Sequence, residues 1–244
     1  MEPGDVVLSE MTMAVLYASL AGAAIPLGGM TARLEHIQPE WLETEFRHSV
    51  IAFGGGALLA AVALVLVPEG MRHLPTWKAL AAFGSGGGAF FMLDRLIERG
   101  GGSVAQLMAM LLDFVPEAMA MGATLATEPA VGLLLAILIA LQNYPEGFNA
   151  YRELRLTTKM RATTVLVAFC ALVPLGPAAA WLGLVYLRSA PDVLGAVMLF
   201  AAGGILYFTF EDLAPQAYLE QHWAPPLGAV SGFMVGMLGH ALVS

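Results

Sequence analysis

Residues 130–152 read AVGLLLAILIALQNYPEGFNAYR, and this stretch decides how the chain folds. It is long enough to cross a bilayer as a helix, which takes about 20 mostly apolar residues. Its interior nevertheless carries a carboxylate, Glu146. An ionisable group at membrane depth costs at least about 2.5–3.5 kcal/mol on insertion scales, so it usually faces the inside of a helix bundle or a wet cavity. The stretch therefore predicts a membrane helix with a polar inner face.

The composition of the whole chain agrees with a membrane protein. Of its 244 residues, 58% are hydrophobic and only 12% are charged, whereas a soluble domain carries roughly 25% charged residues. So little charge cannot cover a water-facing surface, and the lipid bilayer is the natural surrounding. The net charge of −8, without a basic tract, argues against nucleic acid as a partner. The one cysteine, Cys170, excludes an intramolecular disulfide.

Seven further apolar runs predict an all-α integral membrane protein with eight transmembrane helices. The runs are too long for barrel strands, and lipid offers no partners for open backbone. We expect a single membrane domain over 1–244, in which the one sizeable polar connection, 31–47, is a cytoplasmic loop. The predicted spans are 11–30, 48–70, 76–97, 104–126, 130–152, 160–187, 191–214 and 223–243.

The distribution of basic residues predicts the orientation. The N-terminal MEPGDVVLSEM is acidic, which argues against a cleaved signal peptide. Lys and Arg gather in alternate connections, which favours both termini on the non-cytoplasmic side of a cell (inner) membrane that the chain crosses several times. The inner connections hold Arg33, Arg47, Arg95, Arg99, Arg152, Arg155, Lys159 and Arg161, and the outer ones hold Arg72, Lys78 and Arg188.

Glycine-rich runs inside the spans, at 54–56 and 84–88, predict close helix packing. So much glycine would destabilise a soluble helix, but small residues let membrane helices approach one another. No GK[ST] follows these runs, so they do not form a phosphate-binding loop. The small-residue faces also permit a homodimer.

Two neighbouring spans carry the polar groups that point to function. Asp113 and Glu117 are four residues apart on one helical face, and Gln142 and Glu146 repeat that spacing on the next span. A short turn between antiparallel spans can bring the two faces together at one depth. A proline precedes each glutamate, so both helices are predicted to kink and to free a carbonyl, as in many cation sites of transporters.

No Lys or Arg lies at that depth to neutralise the carboxylates. Protons or a bound cation can do so, and a divalent ion suits Asp, Glu and Gln oxygens. Two simpler interpretations stay open. The carboxyl groups could be protonated and hydrogen-bonded between helices, or they could form a proton relay without metal.

These motifs resemble those of the ZIP family of divalent-metal transporters. DFVPEA at 113–118 stands where that family has His-Asn-x-Pro-Glu-Gly, and QNYPEG at 142–147 matches its helix-five pattern closely. EDLAP at 211–215 resembles its helix-seven ending. The resemblance implies an eight-helix bundle with termini outside, and kinked helices four and five at the metal site. It implies a first site formed by Asp113, Glu117, Gln142 and Glu146, and a second that keeps Asn143 with the bridging Glu117 and Glu146.

The departures from the family pattern also carry information. Asp113 replaces a histidine, Phe114 replaces an asparagine, and Val173 stands where helix six has a glutamate before proline. We therefore expect one full metal site and a crippled or absent second one. Carboxylate in place of imidazole shifts the preference from zinc towards manganese, ferrous iron or magnesium. Glu211, Asp212 and Glu69, near helix ends, are candidate residues of the pathway, although interfacial charges explain them equally well.

The predicted function is transport of a divalent cation such as Zn²⁺, Fe²⁺ or Mn²⁺ by alternating access, with the metal as substrate, no cofactor and no enzyme activity. One rival is a membrane protein that keeps the fold without transporting, as a metal sensor or an assembly partner. A second rival is a proton-coupled carrier of an organic solute.

Overall fold

The computed structural model describes residues 3–34, 45–100, 104–220 and 223–243, with side chains except at 3–7, 97–100, 104–109, 112 and 113. Long helices account for nearly all of this part of the chain, which contains no strand. The helices are α1 Pro3–Leu34, α2 Arg47–His73, α3 Thr76–Gly100, α4 Val104–Thr127, α5 Pro129–Thr157, α6 Ala162–Leu187, α7 Pro191–Ala217 and α8 Ala224–Val243.

The all-helical prediction is confirmed for the described residues. Among them, 6 helices are long and apolar enough to cross a membrane by length and composition, namely α1, α2, α5, α6, α7 and α8. The helices α3 and α4 are not in that set, so the count of eight spans stays a prediction.

One expectation about helix boundaries is corrected. The polar loop predicted at 31–47 begins later, because α1 continues to Leu34, and the Thr31 hydroxyl donates back to the Leu27 carbonyl at 2.8 Å. Residues 35–44 of that loop lie outside the described residues. The predicted span 160–187 corresponds to α6, whose regular α-helical hydrogen bonding is broken locally at Val173 and Pro174, since a proline nitrogen cannot donate to the preceding turn.

The bundle is built from four pairs of parallel helices, α1 with α5, α2 with α8, α3 with α7, and α4 with α6. The direction follows from contacts along each pair. In the first pair, Asn143 meets Ala21 near the middle, while Arg33 and Arg152 line one cavity at the shared end. Because chain connections are short, sequential neighbours such as α4 and α5 run antiparallel and also pack together.

The same glycine contact recurs in all four pairs. On each helix, one glycine faces a backbone carbonyl of the paired helix. That carbonyl belongs to the residue three positions before the corresponding glycine of the paired helix. A methyl group built on any of these glycines would lie only 1.9–2.2 Å from the facing oxygen. Such close approach permits weak Cα–H···O contacts along the crossing. The reciprocal glycines are Gly28 and Gly147, Gly56 and Gly232, Gly86 and Gly203, and Gly122 and Gly183.

The first glycine pair fixes the helix that carries the carboxylate. Gly147 faces the Ile25 carbonyl and Gly28 faces the Tyr144 carbonyl, so α1 lies against α5 on both sides of Glu146. From α2, Gly54 packs on the ring of Pro145. Helix α5 is thereby enclosed by α1, α2 and α4, which explains why its polar residues are buried.

Candidate metal centre

Helices α4 and α5 bring their polar residues into direct contact. The Gln142 side-chain nitrogen Nε2 donates to Glu117 Oε2 at 2.5 Å, and both residues are buried. Gln142 and Glu146 are one helical turn apart on the same face of α5. The contact therefore places Glu117 within one turn of Glu146, and Glu146 is also buried.

Asn143 connects this cluster to α1. Its Nδ2 donates to the Ala21 carbonyl at 3.0 Å. Asn143 is 1% exposed, as deep in the bundle as Glu117. Asn143 is therefore held in place by α1, the helix that the contacts of Gly28 and Gly147 pack against α5.

Two amide oxygens of the cluster have no hydrogen-bond donor among the described residues. They are Gln142 Oε1 and Asn143 Oδ1, and both are fully buried. A buried acceptor without a donor costs about 1–3 kcal/mol, and native structures contain few of them. Carboxylate and amide oxygens are the ligands that hard divalent cations prefer. The donor set of this cluster fits such an ion.

The helix itself supplies one more oxygen. Helix α5 continues through Pro145, whose nitrogen carries no hydrogen, so the Leu141 carbonyl lacks its usual intrahelical donor. Pro116 stands inside α4 in the same way. The bend predicted at these prolines stays a prediction.

The fourth predicted ligand, Asp113, belongs to α4, and its side chain lies outside the described residues. Among the described residues, no group of three or more His, Cys, Asp or Glu side chains could hold a metal ion. The described part of the candidate centre therefore consists of two carboxylates, Glu117 and Glu146, and two amides, Gln142 and Asn143.

Phe114 fills the space beside this cluster. Its ring is buried and lies between Gly22 of α1 and Gly176 of α6, so close that a methyl group on Gly176 would be 2.3 Å from the ring. The Val173 carbonyl lies next to the same gap. The aromatic ring of Phe114 thus packs between α1 and α6.

A polar stripe that the sequence interpretation missed continues from the centre along α5. Gln142, Glu146, Asn149 and Glu153 follow a spacing of four, three and four residues, which keeps them on one helical face. Asn149 is only 2% exposed. This periodicity was a signal available in the sequence.

The stripe meets α2 and α7 at its end. Arg47 Nη2 donates to Asn149 Oδ1 at 3.3 Å. Asn149 Nδ2 donates to the Gln216 side-chain oxygen, and Gln216 Nε2 donates to Asp212 Oδ1. Asp212 also lies within electrostatic range of Glu153. Hydrogen-bonded polar side chains thus connect α2, α5 and α7.

The remaining predicted pathway residues lie at the two ends of the bundle. Glu211 precedes Asp212 and is exposed. At the opposite end, Glu69 pairs with Arg72 at 2.8 Å, and Arg72 also reaches Glu128 at 3.4 Å. The structure does not bring Glu69 into contact with the cluster of Glu117 and Gln142.

Apolar helices around buried carboxylates and amides define a multi-pass helical membrane protein with a polar interior. No family model matches the chain. The chain is similar to the zinc transporter ZupT of Chlorobium phaeovibrioides, with 26% identity over an alignment of 281 positions, gaps included, that covers 96% of this chain and 98% of the relative. The similarity extends over nearly the full length of both proteins.

Proposed function

We propose that this protein is a ZIP-type transporter that carries a divalent metal cation across the cell membrane, rather than an enzyme. The observation that carries the proposal is the buried contact between Glu117 and Gln142, beside two amide oxygens that lack donors. The full-length similarity to a zinc transporter supports the same function.

The metal would bind between α4 and α5 as substrate. Asp113, Glu117, Gln142 and Glu146 would supply oxygen ligands, with Asn143 at the side of α1. These oxygens replace the hydration shell of the ion, and the carboxylates of Asp113, Glu117 and Glu146 neutralise its charge. The ring of Phe114 and the lack of a carboxylate at Val173 support a single site, and an all-oxygen donor set supports manganese or ferrous iron over zinc.

The rest of the path would follow the polar stripe of α5. Glu69 would receive the ion at one end, and Asn149, Asp212 and Glu211 would release it at the other. Rocking of the helices around the centre would open the two ends in turn. The predicted eight spans, with both termini on the non-cytoplasmic side, make the end with Asp212 cytoplasmic.

Metal uptake by proteoliposomes tests the proposal. Glu117→Gln and Glu146→Gln each keep the side-chain shape and remove one charged ligand. We expect each to lower Mn²⁺ uptake by at least roughly tenfold, since even a group that only orients a ligand is worth 10–100-fold in metal affinity. Glu10→Gln is the matched control, because it makes the same change at a residue that pairs with Arg188 and belongs to neither the centre nor the proposed path.

The outcomes separate the rivals as well. Uptake that survives both substitutions would exclude this site. Metal binding without uptake in the wild type would indicate a sensor or an assembly partner. Proton-driven uptake of an organic solute without any metal requirement would indicate the carrier.

A further inference from the structure

A cavity away from the metal centre is lined by arginines. It has a volume of about 360 Å³ and is formed where the last turns of α1 and α5 meet the first turn of α6. Arg33 comes from α1, Arg152 and Arg155 come from α5, and the lining residues described include no acidic side chain. We call these three residues the arginine pocket. A protein of net charge −8 has only 11 basic residues, so three in one cavity is a marked concentration.

The pocket is organised, because two of its guanidinium groups have defined contacts. Arg155 Nη1 donates to the Met160 carbonyl at 2.5 Å, and Arg152 lies over the ring of Phe148 at 6.0 Å. A guanidinium has five N–H donors in a planar fork, so Arg155 keeps donors for an oxyanion. The first turn of α6, which starts at Ala162 without a side-chain cap, adds backbone N–H groups at the rim.

The walls between the arginines are apolar. Ala32 and Tyr151 are buried, while Leu156 is 78% exposed although it lines the cavity. A free phosphate ion would gain nothing from Leu156. A phospholipid would place its phosphate among the arginines and its glycerol and acyl portion against this leucine. Basic pockets between helices at the cytoplasmic surface are a known way to bind acidic headgroups.

We propose that the arginine pocket binds the phosphate of an anionic phospholipid, such as phosphatidylglycerol, and thereby links α1, α5 and α6 at one end of the bundle. The pocket does not include the carboxylates of the metal centre, so the proposal is independent of the transported substrate.

Native mass spectrometry of the full-length protein tests this proposal. The protein is released from detergent with equal amounts of phosphatidylglycerol and phosphatidylcholine. We expect the wild type to retain phosphatidylglycerol preferentially. Removing one arginine should weaken the retention of phosphatidylglycerol roughly fivefold, because the attraction of one basic residue to an anionic lipid surface corresponds to about a fivefold change in binding. Arg33→Gln with Arg152→Gln and Arg155→Gln should abolish the preference.

The matched control removes three basic residues from the same end but outside the pocket, as Arg95→Gln with Lys159→Gln and Arg161→Gln. We expect it to keep the preference. Equal lipid retention by the two triple variants would overturn the proposal, and so would a wild type that does not discriminate the lipids. If the triple pocket variant does not fold, the lipid retention of the single variant Arg33→Gln, at an exposed helix end, is compared with that of the single variant Arg161→Gln.

Inorganic phosphate separates the two sources of the ligand. Retention of phosphatidylglycerol in millimolar inorganic phosphate supports a lipid site. Displacement of the lipid by inorganic phosphate would show a general phosphate site and overturn the lipid assignment.

Discussion

Replacing Gly147 by alanine tests how the fold positions the metal centre. The added methyl group would lie 2.2 Å from the Ile25 carbonyl oxygen of α1. Carbon–oxygen contacts at helix interfaces start near 3.3 Å, so α1 and α5 must separate by about 1 Å. The obstacle is backbone on a packed helix, which cannot rotate away as a side chain can.

The separation has two consequences of calculable size. Overpacking of this kind lowers the free energy of unfolding by about 1–3 kcal/mol. The better helix propensity of alanine offsets at most about 1 kcal/mol of this loss. The bond from Asn143 to the Ala21 carbonyl, now 3.0 Å, would lengthen to roughly 4 Å and break. Asn143 would lose its anchor beside the metal centre.

The assay combines thermal unfolding in detergent with Mn²⁺ uptake by proteoliposomes. We expect Gly147→Ala to lower both the unfolding temperature and the uptake rate. Gly55→Ala is the matched control, since no atom lies within 4 Å of its added methyl group. It should leave uptake unchanged and raise the unfolding temperature by no more than the helix propensity of alanine gives. Gly28→Ala should act like Gly147→Ala, and the double variant should be less than additive because one separation relieves both contacts. Wild-type stability and uptake in Gly147→Ala would refute the reasoning.

Three further predictions concern the path and the ion. Asn149→Leu removes the link between Arg47 and Gln216, so we expect it to slow uptake about tenfold while equilibrium Mn²⁺ binding, measured by calorimetry, stays unchanged. Glu69→Gln should raise the half-saturating metal concentration severalfold without changing the maximal rate, and an unchanged concentration would remove Glu69 from the path. In competition uptake, Mn²⁺ and Fe²⁺ should compete with Zn²⁺ better than the Irving–Williams order alone predicts. A zinc preference far beyond that order would contradict the all-oxygen site.

The contact between α4 and α5 could be predicted from the sequence because it rests on local spacing. Glu117 stands within a helical turn of Asp113, and Gln142 stands one turn before Glu146, so a short connection suffices to align the two faces. The structure places Glu117 against Gln142 as that spacing indicates. The side chain of Asp113 lies outside the described residues, and its role stays a prediction.

Other features depend on residues far apart in the chain. The reciprocal glycine contacts join Gly28 to Tyr144 and Gly122 to Ala180, and no local pattern indicates which helices pair. The packing of Phe114 between α1 and α6 is of the same kind. The stripe from Gln142 to Glu153 is different, because its spacing involves residues of α5 alone and could be predicted from the sequence. Its contact with Gln216 of α7 could not, because the two residues are far apart in the chain.

The central claim is that one divalent cation binds between α4 and α5. Anomalous diffraction from crystals grown with Mn²⁺, recorded on both sides of the manganese absorption edge, tests it most directly. We predict a single peak within coordination distance of Glu117, Gln142 and Glu146 oxygens. The absence of a peak there, or a peak only near Glu211 and Asp212, would contradict the account.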